Sequence, residues 1–206
     1  MNDFLPTHYD LPKSETNYLE FEDGSNRFRV LSSCTVGWLW WEDEQGNPLS
    51  HPTKGCSVRY VKSLDAIPKS VQVRSDLRPR HFWAFCCWNY QLDQVQVAKL
   101  TQLGLMRGME RYVKHPDWGS PLDYDFIVHK SGEGLNTKYQ LLVAPKQQTD
   151  EGILAMYREM NIDLEAFYRG EDPFGRDENR QAQLQSPKGN GLARPPVQAN
   201  GAYIAR

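Results

Sequence analysis

Residues 80–90 read RHFWAFCCWNY, eleven positions with five large rings and no glycine or proline. Aromatic residues fit the pleated surface of a strand, so this stretch reads as β-structure. Successive strand side chains point to opposite faces. Phe82, Ala84, Cys86, Trp88 and Tyr90 therefore share one face, and His81, Trp83, Phe85, Cys87 and Asn89 share the other. One set must line a core, and the other needs a cover. Upstream, residues 36–44 read VGWLWWEDE, with Trp38 and Trp40 on one face and Leu39 and Trp41 on the other. Two strands carrying rings on both faces exceed what one small β-barrel can hold inside. Part of this ring surface is expected to meet a partner.

Outward from these strands the pattern stays mainly β. Phe28 and Val30 alternate with Arg27 and Arg29. The breakers in EQGNPLSHPTKG predict a loop, and CSVRYVKSL predicts a further strand. DAIPKSVQVRSDLRP reads as loop with a short strand. Val95 and Val97 extend the sheet. From Ala98 the apolar positions Leu100, Leu103, Met106, Met109, Tyr112 and Val113 recur at helical spacing, closed by His115 and Pro116. Tyr124, Phe126 and Val128 alternate with Asp125, Ile127 and His129, SGEGLN forms a turn, and Tyr139, Leu141 and Val143 form the return strand. The fold class is mainly β (α+β): an OB-like Greek-key β-barrel with one inserted amphipathic helix between its third and fourth strands. A β-sandwich is the alternative. The expected organisation is a flexible acidic leader (1–25), the barrel core (26–148), a short helical extension (149–170) that breaks near Asn161, and a disordered tail (171–206) rich in Gly, Pro, Gln and Asn.

Composition sets bounds on function. With 39% hydrophobic and 24% charged residues, the 206-residue chain can build a core. No run of about 18 apolar residues is present, so no transmembrane helix is expected. The polar, acidic start lacks an apolar signal core, and four cysteines, two of them adjacent, suit a reduced setting, so a cytoplasmic location is expected. The net charge of −2 conceals a gradient: residues 27–148 carry sixteen Lys/Arg against eleven Asp/Glu, and residues 1–26 carry one against six. A basic body between acidic flanks favours a polyanionic partner.

Rings and cations together suit single-stranded nucleic acid. Every base has a π-face, and stacking on an exposed ring contributes about 1–3 kcal/mol per base. The candidate stacking residues are Trp40, Trp41, Trp83, Phe85, Trp88 and Tyr90. If the Trp88 face is core, Trp83 and Phe85 become the platform, and conversely. Arg59, Lys62, Arg78 and Arg80 are the candidate phosphate contacts, with Lys130 and Lys138 as outer ones. Core packing and a protein surface are the competing covers for the same rings. Metal chemistry has little support, since no Cys-x-x-Cys and no helically spaced His pair occurs, leaving only His51 with Cys56. SGEGLN lacks the lysine of a phosphate-binding loop. Asp123 and Asp125 share a strand face, as in some metal-dependent nucleases, without a partner motif. No enzyme activity and no cofactor are expected.

In order along the chain, NRFRVL, GWLWWED, PRHFWAFCCWNY, VQVAKLTQ, DWGSPLDYDFIVHKSGEGLNTKY and IDLEAFYRGEDPF resemble the single-stranded DNA-binding proteins of tailed bacteriophages and related mobile elements. The resemblance covers roughly residues 26–174. It implies an OB-type core that coats and protects single-stranded DNA in phage replication and recombination, in the host bacterial cytoplasm. Replication or recombination proteins are the implied further partners, through the C-terminal extension. In theme the chain is similar to the helix-destabilising proteins of such phages. Their closely spaced Cys/His zinc ligands are absent here, so zinc is not carried over. The end, VQANGAYIAR, also departs from the acidic partner-recruiting tail of such proteins; the acidic residues lie earlier, at Glu171, Asp172, Asp177 and Glu178.

Overall fold

The computed structural model describes residues 16–72, 77 and 79–175. Its centre is an antiparallel sheet of eight strands: β1 (Gly24–Val30), β2 (Thr35–Glu42), β3 (Pro48–Leu49), β4 (Ser57–Val61), β5 (Arg80–Asn89), β6 (Gln94–Leu100), β7 (Asp125–Ser131) and β8 (Lys138–Val143). The helices are α1 (Lys69–Gln72), α2 (Leu103–Lys114), α3 (Glu151–Met160) and α4 (Ala166–Arg169). RHFWAFCCWNY is thus the central strand. One edge of β5 pairs with β2 through Arg80–Ala84 and with β1 through residues 87–89, and its other edge pairs with β6.

Both faces of β5 are covered, and this answers the question its rings raise. Phe85 and Cys87 join Phe28, Val30, Phe126 and Val128 in a core closed by Leu105, Met106 and Met109 of α2. Phe82, Ala84, Cys86 and Trp88 join Leu39, Val95 and Val97 in a second core on the opposite face. Ile153, Leu154, Tyr157 and Met160 of α3 and Phe167 of α4 close that one. These α3 residues recur at helical spacing, and Asp150 caps the helix by accepting from the Gly152 amide at 2.7 Å. Residues 149–170, expected as an extension, therefore complete this second core. A third, smaller cluster holds Trp40 against Ile67, Val71 and Leu77.

The sheet is open where a closed barrel was expected. Among the described residues β8 pairs only with β7, and β4 and β3 only with β2. The free edge of β6 takes residues 17–19, whose backbone exchanges hydrogen bonds of 2.9 and 3.0 Å with Val97. The buried amides of Asn89 and Gln96 fix that segment: Asn89 donates to Gln96, and Gln96 donates to the Thr16 carbonyl at 2.6 Å. The end of the acidic leader is thereby part of the sheet. The inserted helix lies between β6 and β7, and Ala98 and Leu100, expected as its first turn, belong to β6. The one-turn α1 stands where a short strand was expected.

Candidate nucleic-acid interface

On the face that carries α3 and α4, the strands β4, β2, β5 and β6 bring together rings and cations. Alternation places Tyr60 of β4, Trp41 of β2, Arg80 of β5 and Lys99 of β6 on this one side. The Arg80 guanidinium lies 4.8 Å from the centroid of the half-buried Trp41 ring. The Lys99 ammonium lies 5.7 Å from the Tyr60 ring and 5.5 Å from the Tyr18 ring, and donates to the Tyr60 hydroxyl at 3.1 Å. Lys62 sits 5.0 Å over Tyr168 and pairs with Glu165 at 2.5 Å. Among the described residues no carboxylate lies within ion-pairing distance of Arg80 or Lys99. Lys99 is exposed, yet the surroundings of its ammonium remove part of its hydration, which lowers its pKa. Burial pushes the hydroxyls of Tyr18 and Tyr60 up to about 12, so both remain protonated donors at neutral pH.

The α2 face carries a second set of rings. Trp38 and His81 are cross-strand partners, their rings 5.2 Å apart. Trp83 stands opposite Val36 in the same register and keeps part of its ring accessible. It lines a cleft of about 480 Å³ between the β1–β2 connection, α2 and residues 120–122.

Not every candidate keeps a usable surface. Phe85, Trp40 and Trp88 are 2%, 6% and 6% exposed, so their rings are core and cannot take a base. The reason is the same for each: α2, the residues Ile67, Val71 and Leu77, and α3–α4 lie over the three patches that strand alternation alone leaves open. Trp41, Trp83 and Tyr90 stay half-buried. One face of Tyr90 is taken by the Arg27 guanidinium at 4.8 Å. Arg59 is on the α2 side, paired with Glu42 at 2.7 Å, and Glu42 also accepts from the Trp40 indole. Lys130 donates to the Phe21 carbonyl and lies 3.6 Å from Asp23. Lys138 is exposed at the start of β8, away from the Trp41–Arg80 pair. Arg78 lies outside the described residues. Of the candidates that keep a surface, Trp41, Arg80, Lys62 and Tyr90 lie on the α3–α4 side, and of these Tyr90 stands at the far end of β5 under Arg27. The sequence reading missed Tyr60, Lys99, Tyr18 and Tyr168. Tyr60 was legible from its alternation with Arg59, whereas Lys99 was hidden by the helical reading that began at Ala98.

The nuclease alternative loses its metal-binding face. Asp125 is fully buried between Arg27 and Arg29, accepts from Arg27 at 2.5 and 2.7 Å and from the Tyr90 hydroxyl at 3.2 Å, and is bonded to the fully buried Arg29. Its oxygens are engaged by cations, which leaves none for a metal. Among the described residues no cluster of His, Cys, Asp and Glu is arranged to hold an ion. No described helix is long and apolar enough to cross a membrane.

No family model, no curated protein and no solved structure matches this chain.

Proposed function

We propose that the chain binds single-stranded DNA, with little regard to sequence, along the α3–α4 side of β4, β2, β5 and β6, and coats and protects it during phage replication and recombination. The observation that carries this reading is the strip in which Arg80 and Lys99, neither facing a carboxylate, lie over Trp41, Tyr60 and Tyr18. Phosphates are the natural counter-charge for such cations, and unpaired bases stack on the rings or on the Arg80 plane. The finer expectation of an OB-like barrel belongs with this reading, although an open sheet face can present the same chemistry. The experiment is intrinsic tryptophan fluorescence titrated with a polythymidine oligonucleotide at several salt concentrations. Strong quenching is expected, with affinity falling at a log–log slope of about −0.7 per phosphate contacted. Absence of binding at low salt sinks the reading. A second reading, a protein-interaction module, is favoured by one observation, the apolar cleft beside Trp83. It expects a stable protein complex and little salt-dependent binding of DNA.

A further inference from the structure

We propose that the single strand of DNA makes a second contact on the outer face of β1, β7 and β8, at the opposite end of β5 from the Arg80 strip. Partners across a ladder point to the same face. Arg29 stands opposite Trp88, so Arg27 and Arg29 point to the α3–α4 side of the sheet. Register carries that side outward. Arg27, Ile127 and Leu142 form one row across β1, β7 and β8, and Ser25, His129 and Gln140 form the next. Tyr90 continues the first row, its amide donating to the Arg27 carbonyl at 3.2 Å. The helical cover ends before these rows: Ile127 and Leu142 belong to none of the three cores, and Leu142 is 41% exposed.

The charge on this face has one sign. Asp125 is the one carboxylate in β1, β7 and β8, and it is buried between Arg27 and Arg29. Two guanidiniums on one carboxylate leave a positive charge over. Arg29 is fully buried, so the surplus reaches solvent through Arg27, whose side chain is 44% exposed. Arg27 donates from Nε and Nη2 to Asp125, and its Nη1 has no partner among the described residues. Lys138, exposed at the start of β8, has no carboxylate within ion-pairing distance among the described residues. Such a surface calls for an anion.

The rings select the anion. The Arg27 guanidinium lies 4.8 Å from the Tyr90 centroid, and His129 keeps part of its ring accessible in the adjoining row. An acidic peptide would answer the charge and leave these planes idle. An unpaired base stacks on an arginine plane or a ring, while its phosphate meets Lys138 or the Arg27 Nη1. One strand reaches both contacts. Arg80 and Tyr90 are ten residues apart along the β5 run, roughly 33 Å at about 3.3 Å per residue. About ten nucleotides bridge that distance at about 3.4 Å each. That lies within the span of about 4–16 nucleotides that a single binding fold engages. The inference rests on the proposed DNA reading and extends the length of strand that the protein holds.

The test uses the full chain with Lys138→Glu and Gln140→Glu, both at exposed positions of β8. Oligothymidines of about 5 and about 20 nucleotides, shorter and longer than the bridging length, are titrated at several salt concentrations. The long one should lose about tenfold in affinity at low salt, the worth of roughly one stacked base. Its salt slope should become shallower by about 0.7 for each phosphate contact removed. The short one, held by the Arg80 strip alone, should keep its affinity and its sensitivity to Trp41→Ala. Lys138→Arg should behave as wild type. In the wild type, a long oligonucleotide carrying iodouracil should cross-link under irradiation to Tyr90 or His129, located by mass spectrometry. Failure of both lengths to bind overturns the DNA reading and this inference with it. Binding of both lengths with the long one indifferent to the double variant, or cross-links confined to the Arg80 side, overturns this inference alone. Polyglutamate that binds the wild type but not the double variant, with no cross-link at Tyr90 or His129, overturns it in favour of an acidic protein partner.

Discussion

At the scale of single residues, ring exposure separates binding from packing. Trp41 is half-buried under Arg80, and Trp41→Ala is expected to weaken oligothymidine binding by about 1–3 kcal/mol while thermal unfolding changes little. Phe85→Ala removes a ring between Phe28 and the α2 side chains, and should cost about 3–5 kcal/mol in denaturant unfolding with intrinsic DNA affinity retained. The reverse pattern would place the binding surface on the wrong face. Lys99 gives the pH dependence its sign. Its free-state pKa is lowered by desolvation, whereas a bound phosphate favours the ammonium and raises it. Affinity should be flat below the depressed pKa and fall as pH rises through it, because binding must then take up a proton. Lys99→Arg stays charged across that range and should abolish the fall. A binding curve equally pH-dependent in Lys99→Arg removes Lys99 from the site. Asp125 shows the opposite logic of a wholly structural group. Asp125→Ala leaves the buried Arg29 without its counter-charge and should destabilise by about 3–5 kcal/mol, read from the unfolding midpoint.

At the scale of elements, the strands were legible and their covers only partly so. Alternation in residues 80–90 and 124–129 assigns the faces of β5 and β7, because period two is a local property of the chain. What lies over a face is not local. The stripe Ile153, Leu154, Tyr157 and Met160 was present in the sequence, yet nothing in it says that its partner is the Phe82–Trp88 face, some 70 residues away. That is why Trp88 read as a stacking ring. The boundary between β6 and α2 was misplaced for a related reason: in VAKL the side chains of Ala98 and Leu100 satisfy both a strand face and a helical stripe, and pairing with β5 decides for the strand. The close approach of α4 gives this scale its own prediction. A methyl group on Gly37 would run into the Val61 carbonyl and meet Phe82 at 3.1 Å and Tyr168 at 3.2 Å, while the Tyr168 hydroxyl donates to the Val36 carbonyl at 2.6 Å. Gly37→Ala must part β2 from β4 or lift α4. A destabilisation of about 1–3 kcal/mol is expected, with amide exchange speeding first in β4 and α4.

At the scale of the whole molecule, the division of the chain is what the sequence reading drew least well, because composition changes where the core does not. Residues 149–170 are acidic and follow the last strand, so they read as an appendage, yet Phe167 is 4% exposed and α3 and α4 supply much of the cover of one sheet face. The helices on this face also bring Glu165 beside Lys62, while along the strip no described carboxylate lies within ion-pairing distance of Arg80 or Lys99. A chain ending at residue 148, at the expected core boundary, strips Leu31, Leu39, Phe82, Val95 and Val97 of their cover at once. Each large side chain uncovered forfeits about 1.5–3 kcal/mol of burial, which over five such positions rivals the whole stability of a domain this size. That truncation should lose cooperative thermal unfolding and bind a hydrophobic dye. A chain ending at residue 175, which keeps α3, α4 and the buried Pro173, should unfold as one cooperative unit at nearly the full-length midpoint. A soluble, cooperatively folding product from the shorter chain would show that α3 and α4 are an appendage after all, and would restore Trp88 to the list of accessible rings.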